Sequence, residues 1–269
     1  NVDRLIKSPA KQRGRDFGIM LACLNNLGYS VEWRVVNAAI YGAAQRRRRI
    51  FIFAYKNSTN YGQHQSSKNA ETIIQSDGFM TKAFPITENE EIFETGLPLD
   101  IVEVSESFSF EFCNSGYMTN GKIYTTKVVE LEEEPITLKE ILESGVDDSY
   151  FITDKSQMDK WVYLKGAKRI PRTSADGHKY IFSEGPIAFP DPWDKPGRTM
   201  LTSESTLNRS THVVADPSNG KLRTLTPIEA ERLQGMPQRM RFFCMGNALV
   251  VPMITRMGKV LDEIISDEI

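Results

Sequence analysis

The chain reads as an α/β protein interrupted by a smaller, mainly β region. Two observations predict this. Helical and strand periodicities alternate within residues 1–56 and return from about residue 223, while the stretch between holds short strand-like runs broken by turn signals. The expected segments are therefore 1–56, 57–222 and 223–269.

Ser8-Pro9 reads as a helix start, with Ser as N-cap and Pro at the first helical position. Phe17, Met20, Leu21, Leu24 and Leu27 follow at spacings of three and four, and Gly28 supplies the stop. Val31, Trp33 and Val35 alternate with Glu32 and Arg34, the period of a strand. The apolar run Ile50-Phe51-Ile52-Phe53 predicts a second strand over Arg49–Tyr55. Fifty-six residues are too few to complete such a sheet alone. Residues 57–84, rich in Ser, Asn, Gln and Gly, read as a linker or exposed loop. Beyond them come the turn signals Gly116, Asn120-Gly121, Asp176-Gly177, Pro190-Asp191-Pro192 and Asn219-Gly220, with a short helix at Leu138–Leu142. Thr226-Pro227-Ile228-Glu229 spells a capping box, and Gly235 ends that helix. A last helix over about Ala248–Ile265 shows Leu249, Met253, Met257, Val260, Leu261 and Ile264 on one face.

No apolar run approaches the roughly 20 residues a membrane-spanning helix needs. Cys23, Cys113 and Cys244 lack paired spacing, which argues against a disulfide framework, and their apolar neighbours suit core positions. His64, His178 and His212 stand singly, so no metal site is expected. Charge is unevenly spread: residues 1–56 hold 11 Lys/Arg against 3 Asp/Glu, and residues 85–150 hold 3 against 16. A polyanion would be drawn to the first stretch and repelled by the second, although three differently solvated surfaces explain the same pattern.

Gln45-Arg46-Arg47-Arg48-Arg49 leads directly into the second predicted strand. On a strand Arg47 and Arg49 share one side, about 7 Å apart, and Arg46 and Arg48 share the other. Two guanidinium forks so placed can bracket a phosphate or a base carbonyl, but the run alone reads equally well as a solvated basic surface.

Four elements occur in order: Asn1-Val2, the arginine cluster, Arg223-Thr224-Leu225-Thr226-Pro227-Ile228-Glu229-Ala230-Glu231-Arg232-Leu233-Gln234-Gly235, and Gly246-Asn247-Ala248-Leu249-Val250. Together they resemble the sixth, eighth, ninth and tenth motifs of the C5-cytosine DNA methyltransferases. The resemblance covers 1–56 and 222–269 well and 57–221 mainly by position. It implies the C-terminal part of a Rossmann-like, S-adenosylmethionine-dependent methylase domain with a smaller, mainly β target-recognition domain. In that family a flipped cytosine in double-stranded DNA is attacked at C6 by a cysteine thiolate and methylated at C5. Carried over by position, Arg49 contacts the cytosine O2 and Arg47 supports the nucleophile loop. Asn247 and Ala248 border the cofactor, with Ala248 standing where Ser is frequent. Gln45, Arg198, Thr199, Thr202, Arg209 and Arg223 are expected at the DNA, and the acidic residues 88–148 away from it.

The resemblance also implies absences. The family's glycine-rich cofactor loop and Pro-Cys nucleophile lie upstream of Asn-Val, as does its glutamate, so they are expected in a missing N-terminal methylase half, in the same protein or a separate subunit. This chain alone is then expected to be inactive. The alternative is a non-catalytic DNA-binding or targeting protein derived from a methyltransferase. The resemblance further implies a bacterial, cytoplasmic, nucleoid-associated setting such as a restriction-modification system. Asp16-Phe17-Gly18 spells a kinase motif without its companions and is a coincidence. The short distance from Gly235 to Gly246 predicts that residues are missing between them.

Overall fold

The computed structural model describes residues 2–204, 206–236 and 246–268. In chain order the strands are β1 (Tyr29–Asn37), β2 (Arg48–Lys56), β3 (Ile86–Asn89), β4 (Phe93–Gly96), β5 (Ser115–Thr119), β6 (Lys122–Thr126), β7 (Val128–Glu130), β8 (Lys168–Thr173), β9 (Lys179–Glu184), β10 (Val213–Ala215) and β11 (Leu222–Thr224). The helices are α1 (Arg15–Asn26), α2 (Asn60–Ser66), α3 (Ala70–Thr72), α4 (Phe79–Ala83), α5 (Ile101–Ser107), α6 (Leu138–Ile141), α7 (Lys155–Lys165), α8 (Pro227–Gln234) and α9 (Val251–Ser266). Two units result: Asn1–Gly42, Arg47–Glu134 and Pro252–Ile269 form the first, Ala43–Arg46 and Pro135–Val251 the second. The mixed α/β class expected from the periodicities is what forms.

The first unit is built on a five-stranded antiparallel sheet in the order β2-β1-β5-β6-β4. Val31, Trp33 and Val35 of β1 face a core with Phe17, Leu21, Val104, Phe108 and Phe112. Phe17, Trp33 and Phe112 meet edge to face at 5.0–5.7 Å, the preferred geometry for aromatic quadrupoles. Gly116 lies in β5 instead of a turn. A Cβ there would sit 2.1 Å from the Trp33 ring, so the indole occupies the space a side chain would need. Asn120-Gly121 does make its turn, with φ of 48° and 74° between β5 and β6.

Several expectations need correction here. The helix begins at Arg15, and the Ser8 hydroxyl donates to the Asp16 carboxylate at 2.6 Å instead of capping a helix at Pro9. Its buried face is Phe17, Gly18, Leu21 and Ala22, leaving Met20 and Leu27 exposed. Residues 57–84 form helices that bury Ile73, Ile74, Phe79, Met80 and Phe84. They cover the polar face of β1, so Glu32 and Arg34 are buried. The sheet too short to stand on residues 1–56 is completed from the middle of the chain, which moves the boundary from 56 to 134. Residues 223–251 stay with the second unit, and the return to the first begins at Pro252.

The second unit centres on Leu138, Ile141, Met200, Val214, Leu225, Ala230 and Leu233. It carries α6, α7 and α8 beside the two-stranded β8–β9 and β10–β11 hairpins, so it is less purely β than expected. The capping box forms as read: Thr226 Oγ1 accepts from the Glu229 amide at 3.1 Å, and Glu229 Oε2 accepts from the Thr226 amide at 2.8 Å. After α8 the Gly235 and Met236 amides donate to the Arg232 and Glu231 carbonyls. The break is expected between Gly235 and Met236 or within a residue or two; both of these residues are described and carry the helix cap, while residues 237–245, Cys244 among them, lie outside the described residues.

Glu32 yields a pH test of the first unit. Its Oε2 accepts from the Met80 amide at 3.0 Å, while Oε1 is buried without a hydrogen bond. Burial pushes the carboxyl up from 4.5 to about 7, with backbone hydrogen bonds and Arg34 opposing. A carboxyl with a raised native pKa holds its proton longer in the folded state. Its contribution favours folding below the ordinary value and is lost as pH climbs through about 7. Glu32→Gln should flatten that decline and raise stability at pH 8 by roughly 1–3 kcal/mol, read by urea denaturation across pH.

Candidate nucleic-acid interface

The arginine run keeps the strand alternation its spacing predicts. Arg46 and Arg48 are exposed, Arg47 is 4% exposed, and Arg49 is half-buried at the start of β2. The Arg47 carbonyl accepts from the Ala38 amide at 3.1 Å, and Arg49 Nη1 donates to the Arg48 carbonyl at 2.6 Å. Arg48 lies 3.8 Å from Asp3. Burial, then the like charge of Arg49, pushes Arg47 down to about 10. Burial also lowers Arg49, with Asp3 opposing. Two cations drawn inward on the same side of one strand repel each other, so an anionic or strongly electronegative group brought there is favoured.

The other predicted site residues lie in the second unit. Gln45 is fully buried: its Nε2 donates to the Leu233 carbonyl at 3.3 Å, and its Oε1 accepts from the Met200 amide at 2.9 Å. Backbone bonds from Gly197 to Ala44 and from Arg46 to Gly197 continue this seam, and the half-buried Thr199 donates to the Arg46 carbonyl at 2.8 Å. Gln45 therefore joins three segments of the fold and has no amide edge left for DNA. Arg223 is also fully buried, with Nε donating to Asp216 at 2.7 Å and Nη1 and Nη2 to both oxygens of Glu229 at 2.8 and 2.7 Å. Burial would raise the Asp216 pKa, but hydrogen bonds from Ser218 and Arg223 outweigh it and hold it low. Arg223 is corrected from a DNA contact to an internal ion-pair centre.

Arg198 and Arg209 are likewise engaged with the protein. Arg198 takes both oxygens of the buried Asp191 at 2.6 and 3.1 Å and donates to the Ser210 and Thr211 carbonyls. Arg209 Nη1 donates to the carbonyls of Leu164 at 2.7 Å and Gly166 at 3.1 Å, and Nη2 to that of Gly185. Between these arginines, residues 199–204 and 206–208 belong to a braced loop. Glu204 Oε1 accepts from the His212 amide at 2.6 Å and faces its Nδ1 at 2.8 Å, while Asn208 ties Ser203, Thr206 and Thr211 together. Thr202 is exposed on this loop, beside Leu201 at 42%.

Gly246 packs on the same loop. A Cβ on it would come within 2.1 Å of the Thr202 backbone nitrogen, so a side chain there would displace the Leu201–Thr202 backbone. This brings the next residues beside Thr202, with Asn247 exposed and Ala248 half-buried. Among the described residues no group of three metal-ligating side chains occurs, and no helix is long and apolar enough to cross a membrane. The β8–β9 hairpin carries further exposed cations, Arg169 and Lys179, outside the residues singled out from the sequence. The signal was present in the alternation of Lys168–Thr173 around Asp176-Gly177.

Three comparisons bear on this arrangement. The sequence profile of the C-5 cytosine-specific DNA methylases matches residues 1–263. The Type II methyltransferase M.Sau3AI of Staphylococcus aureus is 52% identical over 275 aligned residues, covering 98% of this chain and 66% of that protein. The Type II methyltransferase M.DsaV of Dactylococcopsis salina is 23% identical over 226 residues, 84% of this chain and 43% of its own. The solved structure of the Entamoeba histolytica methyltransferase EhMeth aligns at 12% identity and a TM-score of 0.45, over 92% of this chain and 58% of that one. The chain spans at most about two thirds of the length of these relatives.

The buried Arg223 centre makes a stability prediction. Glu229→Ala removes the helix cap and leaves the guanidinium underpaired in a dry site, which should cost about 3–5 kcal/mol. The same change at the exposed Glu103 should cost under about 0.5 kcal/mol. Chemical denaturation of both variants separates the two cases.

Proposed function

This chain belongs to the C-5 cytosine-specific DNA methylase family, and from that premise we propose that it supplies the DNA-reading and cytosine-contacting part of a DNA (cytosine-5)-methyltransferase. The observation that carries the reading is the inward pair Arg47 and Arg49, set against the outward pair Arg46 and Arg48. In this reading Arg49 donates to the O2 of a cytosine rotated out of duplex DNA. As a thiolate adds at C6, negative charge builds on the ring, and a fixed guanidinium stabilises it by about 2–4 kcal/mol. Arg47, deeper and close in charge, holds Arg49 toward that position by repulsion and supports the nucleophile's loop. The thiolate and its loop belong to an N-terminal methylase segment, in the same protein or in a partner subunit.

S-adenosylmethionine supplies the methyl group in this family. Asn247 and Ala248 offer one exposed amide and one half-buried methyl. By themselves these do not fit the group, which needs a slot for adenine and partners for the ribose, so no step is derived through it. The two residues instead border it from one side, completed by the methylase segment. A Type II relative at 52% identity supports a bacterial restriction-modification role, in the cytoplasm and on the nucleoid.

Sequence choice is assigned to the second unit, since residues 57–134 build the sheet of the first. Thr202 on the braced loop is the base-reading candidate from the original set that keeps an exposed side chain.

Three measurements test this. In the complete enzyme, Arg49→Ala should slow covalent trapping on a 5-fluorocytosine duplex about a hundredfold or more, with folding intact. An unchanged rate returns Arg49 to a solvated surface role. The chain of 269 residues alone should transfer no labelled methyl to DNA, and transfer by it would sink the need for a separate segment. Exchanging residues 135–251 with a relative of different specificity should move the methylated sequence. A site that stays put places the determinants elsewhere.

A further inference from the structure

The β8–β9 hairpin has a face that is exposed among the described residues. Its register pairs Arg169 with Ser183, Pro171 with Ile181 and Thr173 with Lys179. Directly opposed residues point to the same side of a ribbon, so these six share one face. All six are exposed, Ile181 at 57%. The face carries two cations, two hydroxyls and an apolar centre, and no carboxylate.

The reverse face is different. Lys168 lies 3.6 Å from Glu184 and over the Tyr163 ring, and the Arg172 guanidinium stacks 3.8 Å above Phe182. Those cations are engaged internally, whereas Arg169 and Lys179 make no ion pair among the described residues. A lone two-stranded ribbon is marginally stable, and this one is held at its root. Arg209 gathers the carbonyls of Leu164, Gly166 and Gly185, which flank the two strands, and the Ile187 amide donates to the Lys165 carbonyl.

We propose that this ribbon is a DNA-contacting element, with Arg169 and Lys179 on phosphates and the Pro171–Ile181 centre toward the groove. The proposal rests on the reading of duplex DNA as substrate and adds a place and an orientation to it. A two-stranded ribbon fits the major groove, which is about 12 Å wide. Its acid-free cationic face complements a polyanion, in contrast to residues 85–150, where carboxylates outnumber cations 16 to 3. Arg209 is a positioning residue for the ribbon.

The test is duplex binding by the complete enzyme, followed by fluorescence anisotropy between about 50 and 200 mM salt. The double variant Arg169→Ala/Lys179→Ala should lower the slope of log affinity against log salt by about 2, since each phosphate contact contributes about 0.9. Affinity should fall roughly tenfold or more at the lower salt, where those contacts count most. Lys179→Glu should weaken binding more than Lys179→Ala. Lys155→Ala/Lys160→Ala, which removes two exposed cations from α7 of the same unit, should leave slope and affinity unchanged. Wild-type slope and affinity in the ribbon variant overturn the proposal while the function stands. Such a result with increased self-association reassigns the two cations to protecting the ribbon's edges from pairing. If the unaltered enzyme binds no duplex, the functional reading falls and the ribbon's role with it.

Discussion

A buried guanidinium must find acceptors for its N–H groups, and that demand organises both units. Arg34 is 1% exposed on β1, an interior strand of the first unit's sheet. It donates to the Phe84 carbonyl at 2.6 Å, the Ile74 carbonyl at 3.1 Å, Thr81 Oγ1 at 2.9 Å and Ser115 Oγ at 3.3 Å. Those partners come from the helices over β1 and from the neighbouring strand, so one side chain fixes where residues 74–84 lie on the sheet. Without those acceptors, its burial would leave charged donors dry, at several kcal/mol. Arg223 does the same in the second unit with Asp216 and Glu229. Because Glu229 also caps α8, the hairpin and the helix start cannot move independently.

The same demand sorts the remaining arginines by role. Arg198 and Arg209 spend their donors on Asp191 and on main-chain carbonyls, shaping the loop and the ribbon between which Thr202, Arg169 and Lys179 are displayed. Arg47 and Arg49 differ in that burial lowers both, with the like charge of Arg49 adding to it at Arg47 and Asp3 opposing it at Arg49. A partly dehydrated, fixed guanidinium is suited to the cytosine-contacting role proposed for Arg49.

Local rules were legible in the residues. The capping box at Thr226, the Gly235 stop, the Asn120-Gly121 turn and the alternation of Arg46–Arg49 all depend on groups within a few positions of each other. The motif order was equally legible, because Arg223, Thr226 and Glu229 must keep their spacing to meet in one ion-paired cap. The helices within residues 57–84, read as a linker or exposed loop, were not legible for the opposite reason. Whether Glu32 and Arg34 meet water depends on helices 25 or more residues away, from a segment whose Ser, Asn and Gln content resembles a loop.

The sequence by itself determined the family, the α/β class, the element starts and stops, and the side of the strand to which each arginine points. Those follow from short-range sterics and from spacings that hold wherever the segment lies. Tertiary structure alone decided which of the predicted contacts are internal, and that strands from residues 93–126 complete the sheet begun by β1 and β2. A polar side chain's role is set by the acceptors brought to it, and those come from parts of the chain that no local pattern connects.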